Sequence, residues 1–338
     1  MWTVSLRLKK KDRAQELIYN ADAVIYGSAP EELVKKRMKD KKLTFRFTER
    51  LYKEPFTIRN CLYRLLSAIK HHGIYQNKKV YILCAGAYVA YDFSRYGYYK
   101  NKCFQWCYFT KISERSLFEL QSEKNRNKQV ELVWTARFVE VKHPEKVIYL
   151  AQYLKRKNMK FHITMIGSGE LLDSSKQLAA RLGVADIITF TGALTPEKTQ
   201  EYMERADISL FTSDRREGWG AVVNEAMGCA CAVVASSAAG SPPFLINNNE
   251  NGMLFDIDRD DDFYEKVQFL MENVTTRKSY GEKAYDVIHR LWSPKNAAES
   301  FIKLAQSVLE GEIKPMKEGP CSPAYILKDG WLKIENKK

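Results

Sequence analysis

Ser213-Asp214-Arg215-Arg216-Glu217-Gly218-Trp219-Gly220-Ala221-Val222-Val223-Asn224-Glu225-Ala226-Met227-Gly228 is the stretch on which the reading of this 338-residue chain turns. It follows an apolar run at 208–212 that reads as a strand, and its glycines place a turn before a helix expected over 220–228. Glu217 and Glu225 bracket that turn, eight positions apart. Glu217 is expected in the loop, and Glu225 about two turns into the helix, on the face that looks over the strand ends. A carboxylate accepts two hydrogen bonds and so suits a cis-diol such as a ribose 2′,3′-OH pair. Backbone N–H groups near Ala221 and Val222 would meet a phosphate at the helix N-terminus. Two ordinary surface glutamates on a solvated helix are the plainer reading. The apolar and small residues around Glu225 argue against it.

Working outward, apolar runs at 130–135, 161–166, 187–191, 208–212, 232–235 and 253–255 alternate with helical patterns at 145–157, 170–182, 196–206 and 220–228. Thr195-Pro196 is a helix start, with Thr as cap and Pro in the first turn. This alternation implies an α/β fold with a parallel sheet covered on both faces. Ligands on such sheets bind beyond the carboxyl ends of the strands. After the strand at 130–135 come Thr135-Ala136-Arg137-Phe138-Val139-Glu140-Val141-Lys142-His143-Pro144, where Arg137 and Lys142 could neutralise a diphosphate. After the strand at 161–166 comes Gly167-Ser168-Gly169-Glu170, whose glycines allow close backbone approach. A third glycine is missing, so a dehydrogenase fingerprint is not supported.

The first half carries strand-like runs at 23–27 and 79–84 and a helical pattern at 58–70. Residues 121–129 are polar throughout and read as a linker. The expected domains are 1–126, 127–291, a helix at 292–312 returning toward the first domain, and a tail at 313–338. His71 and His72, the only paired histidines, are placed at a surface helix end and given no role.

The net charge of +13 is uneven: residues 1–128 hold 27 Lys+Arg against 12 Asp+Glu, and residues 129–338 hold 27 against 29. A basic half of this kind points to an anionic partner or to a solvated basic surface. Peripheral contact with anionic membrane is the favoured reading, through Lys9-Lys10-Lys11 and Lys35-Lys36-Arg37-Met38-Lys39 with Lys41-Lys42. A nucleic-acid partner is set aside, though six aromatics between Tyr88 and Tyr99 surround Arg95. No run approaches the ~20 apolar residues of a spanning helix, and the N-terminus does not read as a secretion signal. The seven cysteines, at 61, 84, 103, 107, 229, 231 and 321, form no zinc or disulfide pattern. Cys84, Cys229 and Cys231 sit in apolar runs and are expected to be buried thiols in a reducing compartment, hence a cytoplasmic protein.

At these residues the sequence resembles the retaining, family 4 glycosyltransferases of the GT-B fold, over about residues 130–305. Carrying it are Arg137-x4-Lys142, the Gly167-Ser168-Gly169-Glu170 turn, Thr191-Gly192, Glu217-x7-Glu225, Asn251-Gly252-Met253-Leu254-Phe255 and the helix from Trp292-Ser293-Pro294. The resemblance implies two Rossmann-like domains facing a cleft. Arg137 and Lys142 would hold a donor diphosphate, Glu217 would contact sugar hydroxyls, and Glu225 would bind the ribose. The backbone near Thr191 and Gly192 would edge the nucleobase, and Gly167, Gly169, Gly218, Trp219, Gly220, Ala221 and Val222 complete the donor-binding set. Asp22 to Ser28 and Leu43 to Lys53 resemble acceptor-domain segments of bacterial cell-surface polysaccharide transferases. The N-terminal domain reads as incomplete, short by one or two βα units.

The family resemblance implies transfer of a sugar from a nucleoside-diphosphate sugar to a glycan or lipid-linked acceptor, with retention and without metal or cofactor. No Asp-x-Asp metal motif is seen. Positive potential from Arg137, Lys142 and a helix N-terminus would stabilise the departing diphosphate. A non-catalytic nucleotide-sugar-binding remnant is the alternative.

Overall fold

The computed structural model describes residues 11–54 and 58–335. They form two compact units, one of residues through Trp106 with Lys295–Leu327, the other of Cys107–Pro294 with residues from Lys328 on.

The first unit holds four parallel strands, β1 (Val24–Tyr26), β2 (Thr44–Thr48), β3 (Val80–Ala85) and β4 (Cys103–Trp106), side by side in sequence order. Helix α1 (Lys11–Asn20) precedes β1, and helices α2 (Glu32–Lys39), α3 (Ile58–His71) and α4 (Val89–Ser94) connect the strands. β3 is buried along its whole length, as its unbroken apolar run requires of a central parallel strand. The helix Pro294–Leu309 lays Leu304, Ala305 and Val308 on Leu43, Phe45, Tyr81 and Leu83, with the Phe301 ring 4.9 Å from Phe45. The stretch expected as a tail is tied to this sheet instead. Cys321 N donates to Gln105 O at 2.9 Å, Gln105 N donates to Ser322 O at 2.8 Å, and the Cys321 side chain is fully buried.

His72 also departs from expectation, being buried rather than at a surface helix end. Its ring packs edge-on to Phe93 at 4.8 Å, and burial pushes it down to about 3, so it is neutral. His71 Nδ1 lies 2.9 Å from Glu31.

The second unit carries a six-stranded parallel sheet in the order β10-β9-β8-β5-β6-β7. Its strands are β5 (Val130–Thr135), β6 (Phe161–Ile166), β7 (Ile188–Gly192), β8 (Ile208–Phe211), β9 (Ala232–Ser236) and β10 (Met253–Phe255). Its helices include α5 (Leu117–Lys124), α6 (Pro144–Arg156), α7 (Leu172–Arg181), α8 (Pro196–Arg205), α9 (Val222–Gly228), α10 (Pro242–Leu245), α11 (Asp260–Glu272) and α12 (Val274–Asp286). Thr195 caps α8, its Oγ1 accepting from Lys198 N at 3.3 Å. Trp134, Phe138, Ile148, Leu150, Ile163 and Phe255 centre the core. Cys229 and Cys231 lie within this unit's interior, and Cys84 within that of the first.

The linker expected over 121–129 is corrected. Residues 121–124 are the last turn of α5, which a capping box opens: Ser116 Oγ accepts from Glu119 N, and Ser116 N donates to Glu119. Lys124 Nζ donates to Met203 O at 3.2 Å, and Asn127 Nδ2 donates to Arg205 O at 2.9 Å. The polarity is therefore that of caps and ties to α8, not of a free connection.

Candidate functional site

β5 and β8 are neighbours at the centre of the second sheet, where the strand order reverses. Loops leaving such a pair diverge and open a crevice at the carboxyl ends. The loop after β5 carries Arg137, Lys142 and His143, and the loop after β8 carries Asp214, Glu217 and Gly218. Backbone and side-chain bonds lock the two together. Trp134 Nε1 donates to Thr212 Oγ1 at 2.9 Å, Thr212 Oγ1 donates to Lys142 O at 2.6 Å, and Asp214 N donates to Val141 O at 3.0 Å. So fixed, Lys142 Nζ donates to Glu217 Oε2, and both side chains are largely buried. Lys142 and Glu217, which the sequence places in separate loops, are thus brought together. Arg137, in the same loop, is exposed.

His143 stands between these loops in a left-handed conformation, φ 49°. Its Nε2 is 3.1 Å from Asp214 Oδ2 and its Nδ1 is 2.9 Å from Glu145. Hydrogen bonds to Asp214, then Glu145, raise the imidazole to about 9, so it is cationic at neutral pH. Burial alone would raise Asp214. Hydrogen bonds from His143 and from the Arg216 side chain and N–H outweigh it, and the carboxyl lies well below its usual range.

The glycine turn after β6 closes against the same loop. Phe138 N donates to Ser168 O at 2.9 Å, Leu171 N to Phe138 O at 2.9 Å, and Gly167 N to Gly192 O at 2.9 Å at the end of β7. Gly167 has φ +141°, and a Cβ there would collide with the Ala136 carbonyl oxygen; one at Gly169 would collide with that of Phe138. These glycines are required for the turn to nest on the β5 loop. Thr191 Oγ1 donates to Gly192 O at 2.9 Å, and both residues are partly exposed.

The second glutamate sits nearer the helix start than expected. α9 begins at Val222, not 220, so Glu225 lies one turn in rather than two. Its carboxyl has no hydrogen-bond or ion-pair partner among the described residues, and burial raises it to about 7. Trp219 takes a different part from the one expected of it. Its indole is buried, with Nε1 donating to Asn224 Oδ1 at 2.9 Å, so the side chain ties the turn to α9 and only its backbone is left for a ligand. Gly220 takes φ +92° with the Phe211 ring where a Cβ would stand. Ala221 and Val222 are partly exposed at the head of α9.

Residues 117–287, half of the chain and containing every one of these loops, match the family described as Glycosyl transferases group 1. The chain belongs to this family. It is 28% identical over 191 residues to an uncharacterised glycosyltransferase of Methanocaldococcus jannaschii, covering 55% of this chain and 47% of that protein. It is 25% identical over 150 residues to a Campylobacter jejuni N-acetylgalactosamine-N,N'-diacetylbacillosaminyl-diphospho-undecaprenol 4-alpha-N-acetylgalactosaminyltransferase, covering 44% of this chain and 38% of that one. The matched segments thus span less than half the length of these curated relatives. Among solved structures, TarM superposes with a TM-score of 0.67 at 19% identity over 88% of this chain and 57% of its own. HepE of Anabaena in complex with UDP gives 0.66 at 14% identity, over 89% and 81%. At such identities the likeness is one of fold, and the fold is GT-B, with two Rossmann-like parallel-sheet units.

Two features of this group 1 chain were missed or misread in the sequence. His143 and Asp214 stand in the quoted motifs, but nothing in their spacing shows that they pair across 71 positions. Asp-x-Asp spacings do occur, at Asp256/Asp258, Asp258/Asp260 and Asp260/Asp262. They lead into α11, and cations or backbone engage them: Lys333 pairs with Asp256 and Asp258, Lys146 with Asp260, and Lys266 with Asp262, which also accepts from Asp256 N at 2.9 Å.

Proposed function

We propose that this chain is a glycosyltransferase that takes a sugar from a nucleoside-diphosphate sugar and passes it, with retention, to a glycan or lipid-linked acceptor. It would act in the cytoplasm, in cell-surface polysaccharide synthesis. The observation that carries this reading is the Lys142–Glu217 pair at the strand-order reversal, inside the region that matches the family. Lys142 and Arg137 would neutralise the diphosphate, the lysine as a point charge and the arginine as a fork. The Gly167–Gly169 turn and the start of α9 would edge the phosphates with backbone, and Glu225 would accept from the ribose hydroxyls. As the anomeric C–O bond breaks, charge builds on the diphosphate and is stabilised by fixed cations. The acceptor oxygen bonds to the anomeric carbon on the face the diphosphate leaves, and its proton passes to a diphosphate oxygen. Neither a metal nor a separate base has to take part in that sequence.

The relatives' printed names fit such chemistry: the Campylobacter enzyme acts on a diphospho-undecaprenol-linked sugar, and HepE was captured with UDP. The test is a panel of nucleotide sugars read by thermal shift, since a ligand of the folded state raises its stability by mass action. The donors that bind are then incubated with glycan and lipid-linked acceptors, with and without a chelator, and the anomeric signal of the product is read by NMR. A donor that binds with no transfer to any acceptor would favour the binding-only remnant. An inverted product would overturn retention.

A further inference from the structure

Helix α3 of the first unit is turned inside out. Leu62, Leu65, Leu66 and Ile69 recur at i, i+3, i+4 and i+7, the stripe that a globular helix presses into its core. Here that stripe faces solvent. The four are between 40% and 66% exposed, Tyr63 beside them is 75% exposed, and Ile74 just beyond the helix is 51% exposed. Among the described side chains of α3, those toward the protein are small or polar. Ala68 is buried, the Arg64 guanidinium lies 4.7 Å over the Tyr52 ring, and His71 pairs with Glu31.

We propose that this face of α3 is the membrane-contact surface, lying in the plane of an anionic bilayer with its Leu/Ile stripe among the acyl chain ends. Charge selects the occupant. Between Glu54 and Asp92 the chain has no acidic residue, while Arg59, Arg64, Lys70, Lys78 and Lys79 fall in that interval. The first unit holds 26 Lys+Arg against 13 Asp+Glu, so the whole excess of +13 lies in it. A second copy of the chain would bring the same cationic surface against itself, whereas an anionic leaflet attracts it. An exposed Leu/Ile stripe in a segment with five basic residues and no acidic one is the composition of a helix that lies in a membrane interface. No helix among the described residues is long and apolar enough to cross a membrane, so this contact is one of surface insertion.

Of the lysine clusters expected to make this contact, Lys35, Lys39 and Lys41 are exposed. Lys9 and Lys10 lie outside the described residues, as does the side chain of Lys11. Arg37 is buried, its guanidinium donating to the carbonyls of Leu43 at 2.6 Å and Asp22 at 2.9 Å. Lys36 and Lys42 stand over the Tyr19 ring at 4.7 and 4.2 Å.

The experiment is co-sedimentation of the full chain with phosphatidylglycerol/phosphatidylcholine vesicles and with pure phosphatidylcholine, without any donor present. It therefore reads membrane contact whether or not the donor reading holds. Wild type is expected to bind the anionic vesicles and scarcely the neutral ones. The pair Leu62→Glu/Leu66→Glu should lower partitioning by about tenfold or more, since two apolar groups no longer leave water. Lys70→Glu/Lys79→Glu should lose binding most at low salt, with the gap to wild type closing as salt rises. All four positions are exposed, so the melting temperature should not move; Leu62→Ser/Leu66→Ser serves as the milder check. Wild-type binding by the leucine variants, or binding indifferent to lipid charge, would overturn the proposal. A dimer in light scattering that the leucine variants dissociate would overturn it too, by making α3 a contact between copies.

Discussion

His143 Nε2 lies 3.1 Å from Asp214 Oδ2, and this contact joins the loop after β5 to the loop after β8 at the reversal of strand order. It stands one residue beyond Lys142 and three before Glu217, the two residues that pair across the same loops. A cationic imidazole held by two carboxylates fixes the backbone from which Lys142 projects. His143 is thus a positioning residue, and its own proton sets when that positioning is strong.

For His143 the folded value, about 9, exceeds the ordinary 6.5. Its contribution to stability is therefore fully present below pH 6.5 and fades as pH rises through about 9. His143→Gln is expected to destabilise the protein at pH 6 by ~1–3 kcal/mol, the usual value of a charge-assisted hydrogen bond. Chemical denaturation at pH 6, 8 and 10 should show the gap to wild type narrowing upward. A gap independent of pH would mean that the pair is not ionic.

The two kinds of glycine in the site should respond differently. Gly167→Ala places a methyl into the Ala136 carbonyl oxygen and is expected to cost on the order of 2–4 kcal/mol and to weaken nucleotide binding. Gly192→Ala meets open space and bears only the strain of φ +74°, about 1–2 kcal/mol. Thermal melts of both variants decide it; equal losses would show that the collision is relieved by movement of the β5 loop.

The second unit was legible because a parallel sheet buried on both faces demands apolar runs, and β5, β6 and β10 fall on the runs read from the sequence. Lys142 and Glu217 were legible as a motif, since each stands just after a strand. Other features were hidden for a physical reason. β2 carries Arg46 in its middle, where the guanidinium is held by Glu31 at 3.1 Å, so the strand does not read as an apolar run. The part played by Trp219 depends on Asn224 meeting its indole, and α3 has the period of a core helix while facing outward. Periodicity reports which residues share a face, but not what that face meets.

Arg137 and Lys142 should separate charge from mere contact. Replacing either by Ala is expected to weaken a nucleoside diphosphate by roughly 1.5–3 kcal/mol and the uncharged nucleoside far less. Lys142→Ala also leaves Glu217 without this cation, so its loss should exceed that of Arg137→Ala. Glu217→Ala should lower turnover far more than it alters affinity for the free nucleotide. Calorimetry with both ligands checks the first two statements, and equal losses for diphosphate and nucleoside would make the pair structural.

Glu225 yields the sharpest pH signature. Burial raises its carboxyl to about 7 against an ordinary 4.5, and no partner among the described residues offsets that. In the free protein its contribution to stability is fully present below pH 4.5 and is lost as pH rises through 7, because the folded state then holds a buried charge. A ribose diol donates hydrogen bonds to the ionised form, so nucleotide binding should pull the proton off. Affinity is then expected to rise with pH up to about 7 and level off above it, with a proton released on binding near pH 6.5. Calorimetry in phosphate and in Tris, which differ in ionisation heat, reads that proton directly. The phosphates of the ligand titrate in the same range, so Glu225→Gln is the control: it should remove the part of the release due to the carboxyl. It should weaken nucleotide binding by ~1–3 kcal/mol and, lacking the buried charge, raise thermal stability above pH 7. If Glu225→Gln binds with wild-type affinity and releases the same proton, the carboxyl is not at the ribose.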